Sequence, residues 1–313
     1  MGTTADTDLA EQLVDAINGV YGSHPGERAA HAKGTLLAGS FTATPEAAAL
    51  SRAAHLQGDP FRVTVRFSNG SGDPEVPDSQ IDGRGMAVKF YLPDGSTTDL
   101  IGLTLPCFFV RTPEDFLAFQ QARAPDPQTG EPDAARVGEF FAAHPEAQPA
   151  IQAFLGLRPA ASYAQLTYNS IHAYRLLAAD DSTRFARYRL DPDAGQAELS
   201  ADDVADRGPD YLQQELLERL SSGPIGFDVT LQLAADGDPT DDPTAAWPVD
   251  RPTVVAGRIE LTGPETEREQ GDDVLVFDPT RVTDGIECSA DPILHARSGA
   301  YRVSVARRTA ANE

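Results

Sequence analysis

Lysine is almost missing from this 313-residue chain: Lys33 and Lys89 are the only two, and the rest of its 25 basic residues are arginines. Basic charge as a whole is scarce, since 48 acidic residues give a formal net charge of −23. Such a surface repels phosphate backbones and anionic lipid, which excludes nucleic acid and membrane surfaces as natural partners. In a chain that otherwise avoids lysine, Lys33 and Lys89 are expected to do local work. Cysteine is nearly as rare, and Cys107 and Cys288 form neither a disulfide framework nor a metal-binding spacing. The six histidines include no pair at zinc-binding helical spacing. No apolar run approaches membrane-spanning length, and the first residues lack the basic and apolar regions of a secretory signal. A cytoplasmic protein without disulfides is the expectation. Internal repeats and low-complexity linkers are absent too, so residues 1–313 read as one domain, with a helix within 1–25 and a strand-rich body over 26–310.

What is present is mainly strand pattern. Leu9, Leu13, Ile17 and Val20 recur at helical spacing, but from there alternation dominates. In 61–68 apolar residues alternate with polar ones, and 86–92 leads into a Pro-Asp-Gly turn, a hairpin signal. Further strands are expected around 98–111, 163–178, 183–190, 225–233 and 253–261. Helical patterns interrupt them at 113–123, 133–156 and 209–221, the first opened by Thr112-Pro113-Glu114-Asp115. The fold class is therefore α+β: an antiparallel barrel with surrounding helices. The acidic, proline-rich stretch 236–252 reads as a surface excursion.

Two groups of residues could carry chemistry. His31 sits among small neighbours in Arg28-Ala-Ala-His-Ala-Lys-Gly34, which would let something flat approach, and Arg66 and Ser68 share one strand face. Near the end, Arg297, Tyr301 and Arg308 fall at i, i+4 and i+11, one narrow stripe of a helix. A tyrosine flanked by arginines can be held as a phenolate, a hard anionic ligand suited to ferric iron. The same Tyr-Arg-Val-Ser-Val segment also alternates like a strand, so a plain Arg–Tyr surface pair is the competing reading.

Together these pieces resemble the catalase superfamily, and more closely its small, catalase-related haem peroxidases. The resemblance runs from about residue 28 to 308 through Arg28–Gly34, Val65-Arg-Phe-Ser68, Asp82-Gly-Arg-Gly-Met-Ala-Val-Lys-Phe-Tyr91, Pro106-Cys-Phe-Phe-Val-Arg111, Phe277-Asp-Pro-Thr-Arg-Val282 and Arg297-Ser-Gly-Ala-Tyr301. It implies an eight-stranded antiparallel barrel with a helical layer and no C-terminal helical domain, holding haem b between them. His31 would be the distal acid–base residue and Ser68 its hydrogen-bonding partner. Tyr301 would be the iron ligand, supported by Arg297; Arg28, Arg66 and Arg308 would take the propionates, and Phe116 would pack on the ring. His172, in Tyr168-Asn-Ser-Ile-His-Ala-Tyr174, reads as structural. NADPH is not expected, and the sequence allows a homodimer.

One departure bears on activity. Where large catalases carry a distal asparagine, this chain has Leu103, with Thr104 beside it; Asn69, close to Ser68, is the candidate for a substitute amide. A drier pocket favours peroxidase turnover of hydrogen peroxide or organic hydroperoxides with small organic donors, and only weak catalase activity. A hydroperoxide isomerase of the allene oxide synthase type is disfavoured by Ala30, because those enzymes place threonine directly before the distal histidine. A non-enzymatic haem- or apolar-ligand-binding barrel would have no need of a distal base.

Overall fold

In the computed structural model, residues 4–267, 271–272 and 274–311 are described. The chain opens with helix α1 (Thr4–Tyr21) and enters strands β1 (Gly34–Ala43), β2 (Pro60–Ser68), β3 (Gly85–Tyr91) and β4 (Thr97–Leu103), with the short helix α2 (Pro45–Leu50) after β1. Helices α3 (Pro113–Arg123), α4 (Ala134–Ala143) and α5 (Gln148–Gly156) precede strands β5 (Tyr168–Asn169), β6 (Tyr174–Leu177) and β7 (Thr183–Pro192). Then come α6 (Ala201–Ala205), α7 (Tyr211–Ser222), β8 (Ile225–Leu233), β9 (Thr253–Pro264), β10 (Ile286–Cys288) and α8 (Pro292–Ala310).

All strand pairings are antiparallel, and the hydrogen-bonded order β7-β5-β4-β3-β2-β1-β9-β8 closes on itself through β7–β8 pairing. This is the antiparallel barrel expected from the alternation, with the eight strands that the resemblance implied and no free edge along that circuit. β5 and β6 lie on the same edge of β7 and act as one interrupted stave, and β10 extends the sheet beyond β6. Leu37, Phe41, Val63, Val65, Phe67, Met86, Val88, Phe227, Leu231 and Ile259 fill the interior at 3% exposure or less. Burying each such side chain contributes about 1.5–3 kcal/mol. The 93–95 turn works as expected: Gly95 adopts φ +85°, and Leu92 and Ser96 pair across the hairpin.

Three expected elements are broken, each for a local reason. The helix over 133–156 divides into α4 and α5 because Pro145 lacks an N–H and pushes His144 out of helical geometry, to φ −122° and ψ 72°. The strand over 98–111 stops at Leu103, ahead of Pro106. The strand over 163–178 opens instead as a 3-10 turn at Tyr163–Gln165 and survives only as β5 and β6, interrupted at 170–173, where Ser170 Oγ accepts from Tyr188 N (2.9 Å) and donates to the His172 carbonyl (2.9 Å). A side chain there takes over ladder bonds and leaves His172 free to turn inward.

β1 was not legible from alternation. Its Gly39 lies against β9 so closely that a Cβ would stand 2.2 Å from the Glu260 carbonyl oxygen, at a bulge in the β1–β9 register. The 236–252 excursion is pinned more firmly than its composition suggests. Trp247 is buried, and Arg187 lies 4.6 Å over its ring while donating to the carbonyls of Ala245 and Asp242. Both lysines are buried cations: Lys33 meets Asp78 and Asp210, at 3.1 and 2.6 Å, and Lys89 meets Asp99 at 2.6 Å. Their work is to pin loops to the barrel. Both cysteines are free, and no helix among the described residues is long and apolar enough to cross a membrane.

Candidate active site

A cavity of about 390 Å³ lies between one end of the barrel and helices α1, α3 and α8. Every candidate from the sequence lines it: Arg28, His31, Arg66, Ser68, Leu103, Phe116, Arg297, Tyr301 and Arg308. They come from β2, β4, α3, α8 and the loop before β1, so their convergence is a tertiary event. The walls are otherwise mainly apolar. Phe116 stacks on Phe108 with centroids 5.9 Å apart, and Phe109 and Phe119 continue the aromatic face.

His31 stands at φ +55°, an uncommon conformation for a residue with a Cβ. Such a conformation costs about 1–3 kcal/mol and persists only where the surroundings enforce it. Arg66 does so, with Nη1 donating to the His31 carbonyl (2.8 Å) and Nη2 to that of Ala32 (2.9 Å). The His31 ring is held through Nδ1, 3.0 Å from Ser68 Oγ, while Nε2 has no hydrogen-bond partner among the described residues. Across from Leu103 in the β3–β4 ladder is Gly85, where a Cβ would come within 2.8 Å of Ser68 Oγ and 3.2 Å of the His31 ring. Only glycine leaves space for that pair. Burial, then the positive charges of Arg66, Arg297 and Arg28, push the His31 imidazole down to about 3, so it is neutral near pH 7.

Helix α8 confirms the helical stripe rather than the strand reading. It is capped by Asp291, whose carboxylate accepts from Ile293 N at 2.8 Å and Leu294 N at 3.3 Å. Arg297 donates from Nε and Nη2 to Tyr301 Oη at 2.9 and 2.5 Å. Its Nη1 lies 3.0 Å from His172 Nε2, and His172 Nδ1 lies 2.6 Å from the second Asp291 oxygen. His172 is pushed down to about 4, chiefly by burial. As a neutral ring it donates Nδ1–H to Asp291 and accepts from Arg297 at Nε2. Reading His172 as merely structural missed this connection; the signal was only its place in a recognisable block, because its partners lie 119 and 125 residues away.

At the cavity rim Arg28, Arg66 and Arg308 gather around Asp272. Arg66 Nε and Arg28 Nη2 meet its carboxylate at 2.6 and 3.0 Å, and Arg28 and Arg308 both donate to the Leu275 carbonyl. Burial would raise the Asp272 carboxyl, but the guanidinia of Arg66 and Arg28 outweigh it and hold it below its ordinary value. Burial and the neighbouring Arg66 charge bring Arg28 down to about 9. Thr104 turns away from the cavity and accepts from Arg84 N, leaving Leu103 as the side chain at that position. Asn69 is no substitute amide. Its Nδ2 donates to Asp78 and its Oδ1 accepts from Tyr163, and it does not line the cavity.

The closed eight-stranded antiparallel barrel with its surrounding helices is the fold of the solved catalases. The chain belongs to the catalase family, whose model, Catalase, matches residues 9–313. Within it, the chain is 46% identical over 300 residues to the catalase-related peroxidase of Mycolicibacterium paratuberculosis, covering 96% of this chain and 94% of that one. It is 34% identical to the catalase-related peroxidase of Synechococcus elongatus, covering 99% and 91%. Among solved structures, a fungal catalase and catalase A from Saccharomyces cerevisiae each superpose with a TM-score of 0.79 at 26% identity over 91% of this chain. The chain spans 60% and 62% of the length of those two catalases.

Proposed function

We propose that this chain is a haem peroxidase that reduces hydrogen peroxide or organic hydroperoxides with small organic donors and has weak catalase activity. The observation that carries the reading is the placement of a neutral His31, with a free Nε2, in the same cavity as Tyr301 and its Arg297 support. The cavity also fits the cofactor. The arginine rim already accommodates a carboxylate, that of Asp272, which suits haem propionates. The aromatic face around Phe116 suits a flat apolar macrocycle, and the Tyr301 oxygen suits ferric iron.

In this reading Tyr301 would hold the iron, Arg28, Arg66 and Arg308 the propionates, and Phe116 the ring of haem b. Bound haem supplies the redox chemistry, two electrons for cleavage of the peroxide O–O bond. His31 accepts the hydroperoxide proton at Nε2 and returns it to the departing oxygen, which leaves as water or alcohol. Ser68 accepts Nδ1–H and fixes the tautomer that keeps Nε2 a base. Arg297 offers two N–H groups to the Tyr301 oxygen and so holds it in position. Leu103 gives a second peroxide only apolar contact, which disfavours disproportionation.

The test is an absorption spectrum of the purified protein before and after peroxide. A ferric tyrosinate-type haem spectrum that changes on peroxide addition and returns with an oxidisable phenol is expected. A protein that binds no haem, or whose haem is indifferent to peroxide, would overturn the assignment.

A further inference from the structure

The cavity does not end at the histidine and tyrosine. It continues along α1 and α3, past Leu13, Ile17, Phe116 and Phe119, to Tyr21, Gln120 and Arg123. Arg123 stands out in a chain with 48 acidic residues. Many cations meet carboxylates: Arg52 pairs with Asp284, Arg62 with Glu265, Arg84 with Asp82, Arg251 with Asp238 and Arg281 with Asp99. Of those that do not, Arg187 and Arg297 spend their donors on backbone carbonyls and on Tyr301 with His172. Among the described residues Arg123 meets no carboxylate. Its Nε donates to Gln120 Oε1 at 2.7 Å and its Nη2 to Tyr21 Oη at 2.8 Å, both neutral acceptors, and its Nη1 meets no acceptor among the described residues. The guanidinium is clamped between the Tyr21 and Phe119 rings, 4.8 and 5.3 Å from their centroids. Clamping by neutral groups fixes the orientation of a cation while leaving its charge and a pair of N–H donors available.

We propose that Arg123 is the anchor for the carboxylate of an organic substrate: the site takes an apolar molecule bearing one carboxylate. The apolar part lies against Leu13, Ile17 and Phe119, beyond the Phe116 face that the haem would take, and the carboxylate sits on Arg123 beside the Tyr21 hydroxyl. A strongly acidic protein repels such an anion at long range, so a local, partly desolvated cation is what would select it. This rests on the peroxidase reading and names the chemistry of its organic substrate. Either the peroxide or the electron donor could carry the carboxylate, and kinetics separate the two.

The experiment uses the haem-loaded protein. One arm compares a hydroperoxide bearing a carboxylate with its methyl ester at fixed donor; the other compares a carboxylated phenol with its ester at fixed hydrogen peroxide. Preference for the acid is expected in one arm, and Arg123→Gln should reduce that preference about 10- to 100-fold through KM, the range for a hydrogen bond to a charged group. Arg123→Lys should restore part of it. Independently of turnover, calorimetric binding of dodecanoate should exceed that of dodecanol, and Arg123→Gln should remove the difference. Because Tyr21→Phe keeps the guanidinium, it should retain most of the acid preference even if Arg123→Gln fails to fold. Equal use of acid and ester in both arms, or a preference that survives Arg123→Gln, overturns the proposal. If no peroxide is turned over, the peroxidase reading fails, and the dodecanoate comparison still decides the role of Arg123.

Discussion

Two donors of Arg297 converge on the single hydroxyl oxygen of Tyr301, at 2.9 and 2.5 Å. Two charge-assisted N–H groups aimed at one oxygen fix that oxygen in place inside the cavity. Tyr301→Phe should therefore lose haem or abolish the tyrosinate spectrum, and Arg297→Gln should weaken both without abolishing them. Unchanged haem content and spectrum in Tyr301→Phe would remove this residue as the ligand.

His172 is expected to matter through Arg297. Replacing it with phenylalanine leaves Arg297 Nη1 and the Asp291 carboxylate without their partner, inside a cluster where His172 and Asp291 are each 1% exposed. A buried polar group left unsatisfied costs about 1–3 kcal/mol. Denaturation of His172→Phe should show a loss of that order together with an altered haem spectrum. Full stability with an altered spectrum would mean that the relay serves the cofactor alone.

His31→Ala should keep haem but slow peroxide activation by about 10²–10⁴-fold, the contribution of a positioned acid–base group. With the imidazole pushed down to about 3, the wild-type rate should show no His31 titration between pH 5 and 8 and should decline only as pH falls towards 3. Stopped-flow measurement of the first oxidation step reads both. A wild-type rate rising through pH 6.5 would show that the histidine is not held neutral.

Leu103→Asn should raise oxygen release from hydrogen peroxide by up to ~10²-fold, because an amide there can hydrogen-bond a second peroxide in the transition state. The first oxidation step should be nearly unaffected. Wild type that already evolves oxygen at a rate the substitution cannot improve would disconnect Leu103 from the balance between peroxidase and catalase.

Acid sensitivity follows from buried histidines, and His55 isolates the effect away from the cavity. Burial between Phe41 and Phe90 pushes it down to about 4, against 6.5 in the unfolded chain. With a lowered folded value, the unfolded state binds the extra proton. Stability is then complete above pH 6.5 and is lost as pH falls towards 4. Each pH unit in that window costs about 1.4 kcal/mol, so between pH 7 and 5 His55 accounts for about 2 kcal/mol. His55→Phe should shrink the pH 7-to-5 stability difference by that amount in denaturant titrations. An undiminished difference would mean that His55 is protonated in the native state.

Alternation was enough to mark most staves of the barrel, and spacing was enough to put Arg297, Tyr301 and Arg308 on one stripe if the segment is a helix, which α8 then settled against the strand reading. The roles given to His31 and Ser68 came from the resemblance. Side-chain alternation, helical spacing and capping are local properties, read within a few residues. Tertiary structure alone decided what depends on distant segments. Ser170 diverting ladder bonds, and so turning His172 towards Asp291 and Arg297, is invisible from the alternation around it. The need for glycine at position 85 arises only because β3 brings it against Ser68 and His31. That the N-terminal helix forms a wall of the cavity, and that Arg123 lies against Tyr21 102 residues away without a carboxylate partner among the described residues, follows from how α1 packs on α3. Hydrogen bonding and exclusion of water act between whatever the fold brings together, and sequence separation carries no trace of them.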